Sequence, residues 1–318
     1  MRRAVALLAA ALLLAGLAGC GGSGAEPGAP QGATVVLDFT PNAVHAGIYA
    51  AQAQGFYEDA GIDLRVQVPG ESTDAPKLLA AGRTQFAILD ITDLGIADEK
   101  GLELVGLMPI VQRPLAAVLA RKDGPVKRPR DLDGATVGVT GLPSDTAVVD
   151  SEVSGDGGDP SGVDEITIGY NAVASLAAGK VDAATGFWND EAVEARRKGI
   201  PLRVFKVDEY GAPAYPELVL TTTRKEVEAD PELVESMVEA TRAGYRFTEA
   251  NPQQALGDLL AANKSLEKAD TGAQLKVLLP SLHPLPFKEA VLKEWSAWAS
   301  SHGLLPEPLD VKSAFDLG

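Results

Sequence analysis

Short apolar runs alternate along the chain with stretches in which apolar positions take helical spacing. Val35-Val36-Leu37 and Phe86-Ala87-Ile88-Leu89 are unbroken apolar runs of the kind that form strands buried on both faces. Ile62–Val68 alternates apolar and polar positions as a half-buried strand does. Leu102–Val111, Leu115–Ala120, the Val137 segment, Ile166–Ile168, Val181–Thr185 and Leu202–Val207 also read as strands. Helical segments lie between them. One starts near Ala43 and ends at Gly55-Phe56-Tyr57, one runs through Lys77–Ala80 to Gly82, and one spans about Thr92–Glu99. Strands alternating with helices in this way predict βαβ units and an α/β fold with mainly parallel sheets. From Lys225 onward only helices are expected, over Pro231–Glu249, Pro252–Ala262, Ala269–Leu279 and Phe287–His302. His283, Trp295, Trp298 and His302 in this region read as packing or surface residues.

The amino terminus has a different pattern. Arg2-Arg3 precedes an apolar stretch from Ala4 to Ala15, and Leu17-Ala18-Gly19-Cys20 follows. The apolar stretch is too short to anchor in a bilayer, so residues 1–19 read as an export signal. The last four residues match a bacterial lipobox. Cys20 is then the lipidated first residue of an extracytoplasmic protein held at the membrane; an ordinary signal with a coincidental cysteine is the alternative. Residues 20–32 are rich in Gly, Pro and Ala and read as a flexible tether, with structure beginning near Thr34.

Composition narrows the partners. The 318 residues are 46% hydrophobic, enough for a substantial core, and carry a formal charge of −16. That balance excludes nucleic acid, whose phosphates need clustered Lys and Arg. Cys20 is the only cysteine, so no disulfide, thiolate metal site or cysteine nucleophile is available. The three histidines, His45, His283 and His302, lack ligand spacing, and no zinc-peptidase, phosphate-loop or nucleophile-elbow motif occurs. No metal or cofactor is expected.

Candidate chemistry gathers at strand ends. The Val35 strand stops at Asp38, Pro41 forbids further ladder pairing, and Thr40 or Asn42 can cap the helix that follows. Asp38, Phe39, Asn42 and His45 therefore sit where ligands settle in an open α/β sheet. Asp90 ends the Phe86 strand, and Trp188-Asn189-Asp190-Glu191 follows the Val181 strand. Thr140–Asp145 makes a turn in which Ser144 can cap the next helix and aim backbone N–H groups at a ligand, although turn chemistry alone also accounts for it. Tyr215 lies in a Pro/Tyr loop. Aromatic faces such as Phe39, Trp188 and Tyr215 can sandwich a flat ring, and Asp38, Asp90 and Glu191 can accept from its N–H groups. Each also has a plainer role: Asp38 and Asp90 as helix caps, Trp188 as core, Glu191 as a partner of a helix dipole, His45 as a satisfied helix histidine.

Asp38-Phe39-Thr40-Pro41-Asn42-Ala43-Val44-His45-Ala46-Gly47 resembles the opening of the thiamin-pyrimidine branch of ABC-transporter solute-binding proteins, whose relatives include hydroxymethylpyrimidine phosphate synthases. Phe39 stands where that motif has Trp. Similarity of pattern runs over roughly residues 34–225 and includes the aromatic-Trp-Asn-x-Glu pattern at Phe187–Glu191. The resemblance implies a type II periplasmic-binding-protein-like fold, with two lobes joined by a two-strand hinge. Lobe one is expected to take residues 33–120 and 224–318, and lobe two residues 121–223. The cleft would then unite the strand ends, with His45 facing it, Trp188 stacked on a ring, and Phe39 or Tyr215 on the ring's other side. The implied role is capture of formylaminopyrimidine or hydroxymethylpyrimidine, by a monomer, for ABC permease subunits. Wider relatives take riboflavin, nitrate or sulfonates, and the acidic strand ends disfavour the anions nitrate and sulfonate. The synthase alternative departs from the chain: its pyridoxal-phosphate lysine falls on Leu89, its histidine on Asp93, and its cysteine cluster is missing.

Overall fold

The protein is described by a computed structural model over residues 30–70 and 74–318. The export signal, Cys20 and most of the expected tether lie outside the described residues.

Ten strands form two sheets of five. The first holds β1 (Gln31–Val36), β2 (Ile62–Gln67), β3 (Phe86–Asp90), β4 (Leu104–Pro109) and β10 (Leu218–Thr223), in the order β2-β1-β3-β10-β4. The second holds β5 (Ala116–Arg121), β6 (Thr136–Val139), β7 (Asp164–Thr167), β8 (Ala183–Phe187) and β9 (Leu202–Lys206), in the order β7-β6-β8-β5-β9. The two orders are equivalent. In each, three neighbouring strands are parallel and the fourth position is filled by the strand that enters directly from the other lobe, antiparallel to both neighbours. Helices flank both sheets, as the α/β pattern requires.

The chain crosses between lobes at residues 110–115 and 207–217. Three expectations are corrected here. Residues 116–120 were expected in lobe one, but β5 is an interior strand of the second sheet. Residues 218–223 were expected in lobe two, but β10 is an interior strand of the first sheet. β5 is largely apolar and β10 is half threonine; both pair on both sides, and the sheet each joins is set by register, which the local run of residues does not carry. The tether is shorter than expected: Gln31 and Gly32 already pair with Ile62 and Asp63.

The strands that aim at the cleft are fully buried along most of their length. Phe86–Leu89 and Val35–Leu37 are each at most 1% exposed. Burial of such apolar surface contributes roughly 25 cal/mol per Å², which holds the strand ends in fixed positions. The helix Ala46–Ala53 is pressed against the long helix Pro231–Ala250 at Gly47 and Gly244. A Cβ on Gly244 would fall 2.1 Å from the Gly47 carbonyl oxygen, so only glycine permits that approach. Tyr245, next along, donates to the Val44 carbonyl at 2.8 Å and pins the Asp38–His45 loop from beneath. Trp295 and Trp298 are buried, in keeping with a packing role.

Candidate functional site

The first lobe contributes the loop after β1. Asn42 caps its helix: its side-chain oxygen accepts from Val44 N–H at 2.9 Å. His45 Nδ1 accepts the Asn42 N–H at 3.1 Å, which leaves the ring proton on Nε2, and Nε2 donates to Asp38 Oδ1 at 2.8 Å. His45 is wholly buried and does not line the cleft. The expectation that it faces a ligand is corrected; the ring sits beneath Asp38 and orients that carboxylate toward the cavity.

Asp90 ends β3, where its Oδ1 accepts from Thr92 N–H at 2.8 Å and caps the helix Ile91–Glu99. It also shares a hydrogen bond with Glu217. The antiparallel register sets Leu218 opposite Asp90, so Glu217 arrives beside it. Glu217 is 3% exposed and its carboxylate accepts from Leu115 N–H, with Ala116 N–H at 3.4 Å. Its own N–H donates to the Val111 carbonyl at 3.0 Å, and its carbonyl accepts from Ile91 N–H at 2.9 Å. One residue therefore ties both crossings to the end of β3. Burial raises both acids, and Asp90 goes well above the carboxylate range, pushed further by the neighbouring Glu217 charge. The backbone N–H groups favour charge on Glu217, so the pair's proton resides on Asp90. Asp93, in the first turn of the same helix, is pushed to about 7 by burial and then by the neighbouring acids Asp90 and Asp38.

The second lobe contributes two turns. Asp145 Oδ2 accepts from Thr140 Oγ1 at 2.7 Å and from the N–H groups of Gly141 and Leu142 at 2.8 and 2.9 Å, and its Oδ1 accepts from Thr185 Oγ1 at 2.7 Å. Ser144, expected as the cap, is instead the first helical residue and makes no side-chain cap bond; it does line the cavity. After β8, Phe187 and Glu191 face the cavity, and Glu191 Oε2 accepts from Phe187 N–H at 2.8 Å. Burial and then Asp190 raise Glu191 to about 7. Asp190 accepts from Gln274 of the other lobe.

Trp188 and Asn189 do not line the cavity. β8 ends at Phe187, and Trp188 is the first residue of the turn that follows it. Trp188 is turned away, donating Nε1–H to the Pro114 carbonyl at 2.8 Å with Lys206 Nζ 4.4 Å from its ring centroid. Trp188, expected to stack on a ligand, is thus turned away from the cavity, and the neighbouring Phe187 lines it. Asn189 is buried, with its side-chain oxygen unpaired. Tyr215 lines the floor, but its ring is already stacked on Trp298 at 5.6 Å, so one face at most is open to a ligand.

Between the lobes lies a cavity of about 1070 Å³, part of it open to solvent. It brings together Asp38, Phe39, Asn42, Asp90, Ser144, Glu191 and Tyr215 of the expected residues. Sequence reading missed Glu217, Asp145, Phe187 and Tyr170 as cavity residues, and named Asp93 only as a departure from the synthase pattern. Among the described residues seven carboxyl groups line it, from Asp38, Asp90, Asp93, Asp145, Asp190, Glu191 and Glu217, and no Lys, Arg or His does. At its mouth Phe39 from lobe one meets Tyr170 from lobe two, with ring centroids 5.3 Å apart. Arg197 pairs with Asp270 across the lobes as well. Such a site suits a small flat solute rich in N–H donors and repels anions. Among the described residues no group of acids and histidines is arranged to hold a metal ion.

The family model described as NMT1/THI5 like matches residues 42–255. A formylaminopyrimidine-binding protein from Halalkalibacterium halodurans is 31% identical over 88% of this chain and 88% of its own. A riboflavin-binding protein, RibY, from Chloroflexus aurantiacus is 27% identical over 90% of this chain and 85% of its own. More distant relatives include 4-amino-5-hydroxymethyl-2-methylpyrimidine phosphate synthases. Among solved structures, the periplasmic aliphatic sulphonate binding protein SsuA from Escherichia coli matches with a TM-score of 0.74 at 14% identity, covering 90% of this chain and 92% of its own.

Proposed function

The chain belongs to the NMT1/THI5-like family, and from that premise we propose that it is an extracytoplasmic receptor for a thiamin pyrimidine precursor, formylaminopyrimidine or hydroxymethylpyrimidine. A solute-binding role follows from the relatives and the two-lobed fold. The single observation that carries the finer reading is the lining of the cleft, which among the described residues holds seven acids, aromatic side chains and no base. An aminopyrimidine supplies the N–H donors those acids lack, and its ring fits between Phe187 and the Phe39–Tyr170 pair at the mouth. A sulfonate or nitrate would meet no cation there. Lobe closure about residues 110–115 and 207–217 would enclose the ligand, and the closed form would pass it to ABC permease subunits. The protein works as a monomer held to the membrane by lipid on Cys20.

The reading is of binding without catalysis. Leu89 and Asp93 stand where the synthase pattern has lysine and histidine, so neither the aldimine-forming amine nor the consumed imidazole is present. The 27% identity to a riboflavin-binding protein supports a flavin as second reading. Calorimetric titration of the purified chain with both pyrimidines, riboflavin and an alkanesulfonate tests these together. The expected outcome is saturable heat with a pyrimidine, a raised melting temperature in its presence, and no response to the sulfonate. Heat with riboflavin alone would move the assignment to a flavin, and silence with every probe would end it.

A further inference from the structure

Six of the seven cavity carboxyls already have partners inside the protein. Asp38 accepts a hydrogen bond from His45 Nε2, Asp90 accepts from Thr92 N–H and donates to Glu217, and Asp145 accepts from four donors. Asp190 takes Gln274, Glu191 takes Phe187 N–H, and Glu217 takes Leu115 N–H. Asp93 lines the same cavity and, among the described residues, makes no hydrogen bond to the protein. A half-buried carboxyl without a partner is costly unless something else completes it, and the remaining candidate is the solute.

We propose that Asp93 reads one edge of the ligand, a ring nitrogen beside an exocyclic amino group, through two parallel hydrogen bonds with one proton held between carboxyl and ring nitrogen. The inference rests on the aminopyrimidine reading and names the residue that enforces it. A carboxyl group spans such an edge: one oxygen accepts from the amino N–H, while the other oxygen and the ring nitrogen share the proton. Neutral acid with neutral ring and carboxylate with protonated ring have the same composition, so the proton count is one in either description. The groups facing Asp93 favour keeping that proton. Asp38 from the loop after β1 and Asp90 from the end of β3 are both acidic, Asp90 is itself paired with Glu217, and among the described residues the one cation acting on Asp93 is Lys100, at the C-cap of its own helix. An Asp93 that is half protonated near neutral pH in the empty cleft must take up a proton to bind at higher pH.

The test is calorimetry of the purified full chain at pH 8 with 4-amino-5-hydroxymethyl-2-methylpyrimidine, in two buffers that differ in ionisation enthalpy, together with an analogue lacking the amino group. Wild type should take up about one proton per ligand, and should bind the amino-free analogue roughly 10- to 100-fold more weakly, since one buried hydrogen bond is left unmade. D93N carries a donor and an acceptor on one edge without a titrating proton. It should bind the aminopyrimidine within about threefold of wild type and take up less than half as much proton. D93L should lose roughly 10- to 100-fold and bind the two probes alike. Unchanged affinity in D93L overturns the assignment, as does full proton uptake in D93N. Should D93L fail to fold by circular dichroism, the D93N proton count still decides. Wild type that binds neither probe removes the aminopyrimidine reading itself, an outcome distinct from binding that ignores Asp93.

Discussion

Replacing Glu217 by leucine and by glutamine separates the two jobs its carboxylate does at the crossings. The leucine variant leaves Leu115 N–H without its acceptor and removes the weaker bond to Ala116 N–H. An orphaned buried donor costs about 1–3 kcal/mol, and Asp90 loses its partner as well, so the net loss should be about 2–5 kcal/mol. At roughly 2–4 °C per kcal/mol for domains somewhat smaller than this one, Tm falls by about 4–20 °C. Glutamine keeps an acceptor for Leu115 N–H and donates its amide to Asp90, so E217Q should stay within about 1 kcal/mol of wild type at pH 7. The two should also differ from wild type in pH dependence. Asp90 and Glu217 have folded-state pKa values raised by burial, so the folded protein binds more protons than the unfolded chain. The penalty is absent below the unfolded carboxyl pKa and grows as pH rises toward the folded values, so this pair lowers stability with increasing pH. E217Q removes one of the two titrating groups and should flatten that decline. Denaturant unfolding and scanning calorimetry at pH 5, 6, 7 and 8 measure both effects. An E217L variant as stable as wild type at pH 7, or an E217Q variant that loses as much as E217L, would refute this account of the hinge.

Other substitutions test the remaining assignments. Phe187→Ala should weaken pyrimidine binding by about tenfold, an aromatic contact being worth roughly 0.5–1.5 kcal/mol beyond area. Trp188→Ala should instead cost about 3–5 kcal/mol of stability and leave affinity nearly unchanged in the folded fraction; the reverse pattern, read by calorimetry and melting, would return the stacking role to Trp188. Phe39→Ala removes the aromatic contact with Tyr170 across the mouth, so stopped-flow should find ligand release about tenfold faster, and an unchanged rate would deny the pair a closing role. Cys20→Ser should move the exported protein from the membrane fraction to the soluble one on fractionation of the source cell; retention in the membrane would discount lipid on Cys20.

Local rules settled much of this protein in advance. Apolar runs bounded by Asp38 and Asp90 can only be buried strands whose ends are polar, and Pro41 with Asn42 starts a helix in any tertiary setting. That is why β1, β3, the C-terminal helices and the cluster of acids at strand ends were legible before any fold was drawn. Two things were not. β8 ends at Phe187 and the chain turns at Trp188, and which of the two rings meets the cleft depends on how β8 seats between β6 and β5. The position of Glu217 was invisible because it depends on an antiparallel register between β3 and β10, segments far apart in sequence and linked through the other lobe. The unpartnered state of Asp93 likewise emerges only after every neighbouring acid has found its donor. A sequence names the groups that can bond; the packed chain decides which of them are left over, because a hydrogen bond used inside the fold is no longer available to a ligand.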